Sequence, residues 1–204
     1  MDIQLLIKYL GLHIDAELKW NVHATYLCAK VGRMISFLRR LRHYINRSNL
    51  NLIYRSVILP HFDYADIIWH SSSDKYVSQL QKLQNRAGRI ILKINPRSHF
   101  SVTSMHDILQ WETLKSRQKF HIQIMMFKVL NNLTPTYLRE NILYSQRHYQ
   151  LRNNNLNLPK PRTNNCKRAF FYRGAKLYNK LPQSIRDKSY LAAFKRSLLH
   201  YNSS

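Results

Sequence analysis

Apolar residues in the stretch 21–45 recur at spacings of four and three: Leu27, Val31, Met34, Leu38, Leu41 and Ile45. That spacing stacks them on one face of a long helix, with Asn21 placed to cap its start. Ser48 is the expected cap of a second helix, running through Leu52, Ile53, Val57 and Ile58 to Trp69, with Pro60 predicted to kink or break it. A third is predicted from Asp74 to about Ile94. It carries Tyr76, Leu80, Leu83, Ala87, Ile90 and Ile94 on one face, and Pro96 ends it. Ser104 with Asp107 resembles a capping box opening a short turn of helix. Thr113 caps a longer helix through Phe120, Ile124, Phe127 and Leu130, and Thr134-Pro135 opens another. Ahead of all these, 5–7 and 12–14 read as two short strands about a turn at Gly11. A lone two-stranded ribbon is marginal in water, so the expectation is the edge of a sheet, with the chain starting in mid-domain.

The pattern changes near Tyr144. Residues 153–165 are polar, proline-bearing and aperiodic, as in a linker or extended arm. Beyond them, 168–172 reads as a strand and 175–181 as a short helix stopped by Pro182. Residues 189–201 form an amphipathic helix with Leu191, Phe194, Leu198 and Leu199 on one side. The expected fold is mainly α: a helical bundle over 21–143, a short β-ribbon within 1–20, and a small basic α+β region over 144–204.

Charge changes this picture from a fold to a partner. The formal net charge is +23 and the calculated isoelectric point about 10.4. From Thr113 to the C-terminus eighteen lysines and arginines face only Glu140 and Asp187. Self-repulsion on that scale opposes compaction, so it points to a polyanionic partner, phosphate backbones being the commonest. An apolar fraction of 45% with thirteen tyrosines and eight phenylalanines argues against a wholly disordered basic tail. Cys28 and Cys166 are far apart and lack finger spacing, which disfavours a disulfide framework or zinc knuckle and fits a reducing compartment. No apolar run approaches the ~18 to 20 residues of a membrane span, and no secretory leader is legible.

The sharpest surface pattern is Lys75, Lys82, Arg86, Arg89 and Lys93, spaced seven, four, three and four. These form an acid-free stripe opposite the leucines, and Lys82 to Lys93 covers about 16 Å of helix axis. A solvated face usually mixes signs, so phosphate contact is favoured. Arg39, Arg40 and Arg42 close the first helix. The macrodipole explains cations there, though three exceed that need. In the C-terminal region Lys160, Arg162, Lys167 and Arg168 lie among Tyr149, Phe170, Phe171 and Tyr172. Interleaved bases and aromatics suit single-stranded nucleic acid, with burial an equal competitor. Trp20, Trp69 and Trp111 read as core anchors. Asp63 and Asp66 could share a helix face as a two-metal pair, but no third acid is nearby, and pairing with arginine or capping is the preferred reading. Histidines follow no metal or catalytic spacing.

Taken in order, these segments resemble the C-terminal part of reverse transcriptases of jockey-like non-LTR retrotransposons. The strings are Lys8-Tyr9-Leu10-Gly11-Leu12-His13-Ile14-Asp15 with Leu18-Lys19-Trp20 and His23, and Leu59-Pro60-His61-Phe62-Asp63-Tyr64-Ala65-Asp66-Ile67-Ile68-Trp69. Then follow Leu80-Gln81-Lys82-Leu83-Gln84-Asn85-Arg86-Ala87, Leu158-Pro159-Lys160-Pro161-Arg162-Thr163, and Gly174-Ala175-Lys176-Leu177-Tyr178-Asn179-Lys180-Leu181-Pro182 with Phe194-Lys195. The resemblance implies that 1–20 is the end of the palm, where Tyr9, Leu10 and Gly11 resemble the primer-grip turn. The helices of 21–143 would be the thumb and the region after it, holding template and primer. The family's metal-binding acids, including a Tyr-x-Asp-Asp turn, belong to the palm ahead of this segment. No such turn occurs here, and Tyr178 stands where the family usually has Trp.

The expectation is therefore a non-catalytic, truncated fragment that grips RNA and DNA through the backbone of a duplex or hybrid. It needs no cofactor of its own, Mg2+ belonging to the missing palm, and would work inside the cell, in the nucleus or a ribonucleoprotein. The rival readings are a metal-dependent nuclease or polymerase using Asp63 and Asp66, and a remnant without function.

Overall fold

The computed structural model describes residues 6–69, 74–95, 98–143, 156, 158 and 160–203. Two compact units divide the chain, Met1–Gln118 and Lys119–Ser204.

The first unit opens on a hairpin, β1 (Leu6–Tyr9) against β2 (Leu12–Asp15), antiparallel with Tyr9 opposite Leu12. Its two-residue loop has φ 45° at Leu10 and 80° at Gly11, the left-handed pair that matches the twist of a tight hairpin and that glycine adopts without strain. Leu12 is buried and Ile14 packs on the core, whereas β1 is exposed along its length.

α1 (Asn21–Leu41) follows. Asn21 is its first residue, not its cap. Trp20 takes the cap position in the left-handed region without a side-chain bond, and the Asp15 carboxylate accepts from the backbone N–H of Lys19 and Trp20 at 2.8 Å each. The buried face is Ala24, Leu27, Val31, Ile35 and Leu38, as the three-and-four spacing requires.

α2 (Arg47–Ile53) is capped by Asn46, whose side chain accepts from Asn49 N–H at 2.8 Å, two residues ahead of the expected Ser48. The chain then widens into a π-helical turn, Tyr54–Ile58, before α3 (Leu59–Asp63). Leu59 N–H bonds Tyr54 O in that turn. Pro60 lies at the start of α3, where its missing donor is tolerated, so the widened turn absorbs the proline. The break comes later, at Tyr64 (extended) and Ala65 (φ 52°), before α4 (Asp66–Trp69).

α5 (Asp74–Ile91) ends at Ile91, with Lys93 at φ 54°; Pro96 lies outside the described residues. α6 (Val102–Leu109) is capped by Ser101, not by the Ser104–Asp107 box. The core of this unit gathers Leu27, Val31, Ile35 and Leu38 with Tyr54, Trp69, Leu80, Ile91 and Trp111. All three tryptophans are buried as anchors. Tyr54 stacks on Trp111 with centroids 3.9 Å apart, and the Trp111 indole donates to Asn51 Oδ1 at 2.9 Å.

α7 (Leu114–Leu130) starts where expected, with Thr113 Oγ1 accepting from Ser116 N–H. Its buried positions, Leu114, Gln118, Ile122, Gln123, Met126, Phe127 and Val129, lie on more than one side. α8 (Thr136–Leu143) begins just after Pro135, although the Thr134 hydroxyl makes no capping bond.

In the second unit the expected strand at 168–172 is helix: α9 (Asn164–Arg168) and α10 (Phe170–Asn179). Packing overrides the aromatic run's β preference, because helical spacing sets Gly174, Ala175 and Tyr178 into the core together. α11 (Gln183–Arg186) starts after Pro182, and α12 (Leu191–Ser203) buries Phe194 and Leu198 while Leu199 is exposed. Phe127 and Phe194 stack at 4.3 Å. Residues 153–155, 157 and 159 of the predicted arm, and Tyr149, lie outside the described residues, and the arm's last two residues open α9. Leu156 is docked by Asn179, whose amide exchanges two 2.8 Å bonds with its backbone.

Candidate nucleic-acid interface

The apolar faces of α1 and α5 pack on one another through residues such as Val31, Leu38, Leu80 and Ala87. That packing joins two basic clusters that look unrelated along the chain. Arg39 and Arg42, at the end of α1, and Arg86 and Arg89, one turn apart on α5, line a single cavity of about 240 Å³. Ile90 and Ile94 complete its lining. No acid lines it. Glu17 pairs with Lys19 and Asp63 with Arg117, so neither of these carboxylates is held by the four arginines.

Lys75, Lys82, Arg86 and Lys93 are exposed. Lys75 lies 6.0 Å from the Tyr76 ring, and Arg40 lies 5.6 Å over the half-exposed Phe37 ring, a cation–π pair that holds the guanidinium at the surface. Arg89 departs from the free-surface expectation. It is half-buried and donates to Phe100 O at 3.1 Å, so it serves the fold as well as the cavity. Lys93 sits past the end of α5, in the left-handed region.

In the second unit Lys160, Arg162, Lys167 and Arg168 are exposed. Lys167 and Arg168 close α9, where the macrodipole favours them. Phe170 and Phe171 pack against the apolar core of that unit, which favours burial over base stacking for these two rings. Sequence reading missed a basic cavity here of about 510 Å³, to which Lys188, Arg196 and His200 contribute. Its residues come from α11, α12 and the loop between them, with no charge run to mark it.

Tyr9, Leu10 and Gly11 form the exposed hairpin turn, and Leu10 O accepts from the Tyr64 hydroxyl at 2.6 Å. The turn is thus tied to the break between α3 and α4.

Asp63 and Asp66 offer carboxylate oxygens within 4.8 Å of one another. Their environments differ. Both oxygens of Asp63 accept from Arg117, at 3.0 Å from Nε and 2.5 Å from the terminal nitrogen, a bidentate fork. Burial alone would lower the Arg117 pKa, but the Asp63 hydrogen bonds and charge outweigh it and raise the value. Asp66 is buried at the start of α4. Arg117 lies 54 residues from Asp63, so no local spacing announced the pair.

Over part of its length the chain is homologous to retrotransposon polymerases. It is 28% identical over 87 residues to a probable RNA-directed DNA polymerase from transposon X-element of Drosophila melanogaster, covering 41% of this chain and 10% of that protein. It is 30% identical over 82 residues to a retrovirus-related Pol polyprotein from type-1 retrotransposable element R1 of Nasonia vitripennis, covering 37% of this chain and 21% of that protein. The matches therefore span about a tenth and a fifth of these relatives. No family model matches the chain, and no solved structure matches it significantly. Among the described residues no helix is long and apolar enough to cross a membrane.

Proposed function

We propose that this chain binds the phosphate backbone of an RNA–DNA or RNA duplex, as the thumb and post-palm region of a retrotransposon reverse transcriptase, without performing chemistry itself. The observation that carries this is the meeting of Arg39, Arg42, Arg86 and Arg89 on one acid-free cavity, continued along α5 by Lys82 and Lys75. Guanidinium forks match phosphate oxygens two at a time, whereas the exposed lysines act as adaptable point charges. The partial homology to RNA-directed DNA polymerases supplies the polymer class. The proposed setting is intracellular, with nucleoprotein.

The non-catalytic part of the proposal rests on Asp63. Phosphoryl transfer by two metals needs several free carboxylates, and the Arg117 fork already occupies both oxygens of this one. Primer-extension and nuclease assays with magnesium or manganese are expected to give no product from this chain. Product that vanishes on Asp63→Asn would establish the enzyme reading instead. Backbone binding is tested by fluorescence anisotropy with labelled duplexes of two unrelated sequences, which should bind alike and weaken steeply with salt.

A further inference from the structure

The arginine cavity has a composition that an ordinary backbone contact does not need. We propose that it is a site for a phosphate group carrying two or more charges, either the terminal phosphomonoester of a strand or free pyrophosphate. This rests on the nucleic-acid reading above and narrows it to one locus.

Charge is the first argument. Four guanidinium groups remain cationic at any physiological pH, and no acid shares the cavity lining. The negative pole of α1, worth about half a charge, offsets Arg39 and Arg42 only slightly. A phosphodiester brings a single negative charge to this surplus. A phosphomonoester brings about 1.5 to 2 and adds a third strong acceptor oxygen.

Geometry is the second. Arg39 and Arg42 lie three residues apart at the end of one helix, and Arg86 and Arg89 three apart on another. Each pair therefore projects from one helix face, and the two pairs line the same cavity. At about 240 Å³ it has room for roughly eight waters at ~30 Å³ each, and so for a phosphate group but not for a length of duplex. Arg89 is pre-positioned by its bond to Phe100 O, which uses one of five N–H donors and leaves the others for a ligand.

The apolar side of the lining is the third. Ile90 and Ile94 sit beside the guanidiniums, where the sugar or base of a terminal nucleotide could rest. Neither orthophosphate nor pyrophosphate has a group for that surface, so this part of the lining speaks for the strand terminus.

The test uses the full chain and two labelled single strands of identical sequence, one 5′-phosphorylated and one ending in a 5′-hydroxyl. The phosphorylated strand should bind about tenfold or more tightly, the size of one or two charge-assisted hydrogen bonds. Unlabelled pyrophosphate should compete better than orthophosphate. Arg39→Gln with Arg86→Gln should abolish both effects, while Lys160→Gln with Arg162→Gln should leave the ratio unchanged. Circular dichroism of each variant checks folding. If the double variant unfolds, Arg39→Gln alone, at an exposed position in the last turn of α1, carries the comparison. Pyrophosphate competition that requires these arginines, without discrimination between strand ends, would assign the site to the free anion. Equal binding of both strands with no pyrophosphate competition would overturn the proposal. Salt-dependent binding of both strands would persist in that case, so backbone recognition would stand or fall separately.

Discussion

His23 shows how a single buried side chain couples this fold to pH. The backbone N–H of His13 lies 3.4 Å from His23 Nδ1, which can accept only when unprotonated. Burial first, and the nearby His13 second, lower the His23 pKa below its ordinary 6.5. His61 and His106 are lowered too, chiefly by burial, with the Lys30 charge adding at His61 and Asp107 opposing at His106. In each case the unfolded chain takes up the proton first. Their effect on stability is therefore absent well above pH 6.5, and stability falls as pH drops from about 6.5 towards the lower folded values. The slope is at most about 1.4 kcal/mol per pH unit for each histidine. Thermal melts at constant salt should show Tm decreasing from pH 7.5 to 5.5. A His23→Asn variant should show a shallower decrease; an unchanged profile would remove His23 from this account.

Two other residues make equally local claims. Asp63→Asn keeps the shape but removes the charge facing Arg117. With both side chains about a quarter exposed, the expected loss is ~1 to 3 kcal/mol in urea denaturation. Nucleic-acid affinity per folded molecule should not change, because Asp63 does not line the arginine cavity. A Cβ added at Gly174 would lie 2.5 Å from Met126 Sδ and 2.7 Å from Cγ. Gly174→Ala should therefore cost ~1 to 3 kcal/mol through overpacking, despite alanine's better helix propensity.

At the scale of elements, α5 separates folding from binding by face. Leu80 is fully buried, so Leu80→Ala should lose ~2 to 5 kcal/mol. Lys82→Gln with Arg86→Gln should keep helicity and lower the magnitude of the log–log salt slope by about two units or slightly less. Helicity loss in that pair would make the stripe structural. Arg89 does not divide so cleanly, since its bond to Phe100 O ties the start of the α6 segment to α5.

The same helices show what the sequence could convey. Three-and-four spacing located α1 and α5 because each has one buried stripe. The helix after Thr113 was legible too, although α7 is buried on more than one side; the reading failed at 168–172, where aromatics suit strand and helix alike and packing decides. Caps slipped where an equally good residue lay nearby: Asn46 displaced Ser48, and Ser101 displaced Ser104. Both halves of the arginine cavity were legible as charge clusters. Their meeting was not, because it depends on how α1 crosses α5, and spacing within each helix carries no such information. Pairing of Asp63 with an arginine was the preferred reading, but that the arginine is Arg117, 54 residues on, was not legible for the same reason.

At the scale of the whole molecule, two cores form one in each compact unit, and net charge +23 remains on the surface around them. Neither core needs that charge, and self-repulsion works against both. A polyanion relieves the repulsion and accounts for a surplus that folding alone would not retain. The most direct measurement is the affinity of the full chain for a labelled RNA–DNA hybrid as a function of salt. If about six phosphates are neutralised, log K should fall against log salt with a slope near −5, roughly a thousandfold between ~50 and ~200 mM. A flat dependence, or equal affinity for polyglutamate of matched charge, would contradict a nucleic-acid role.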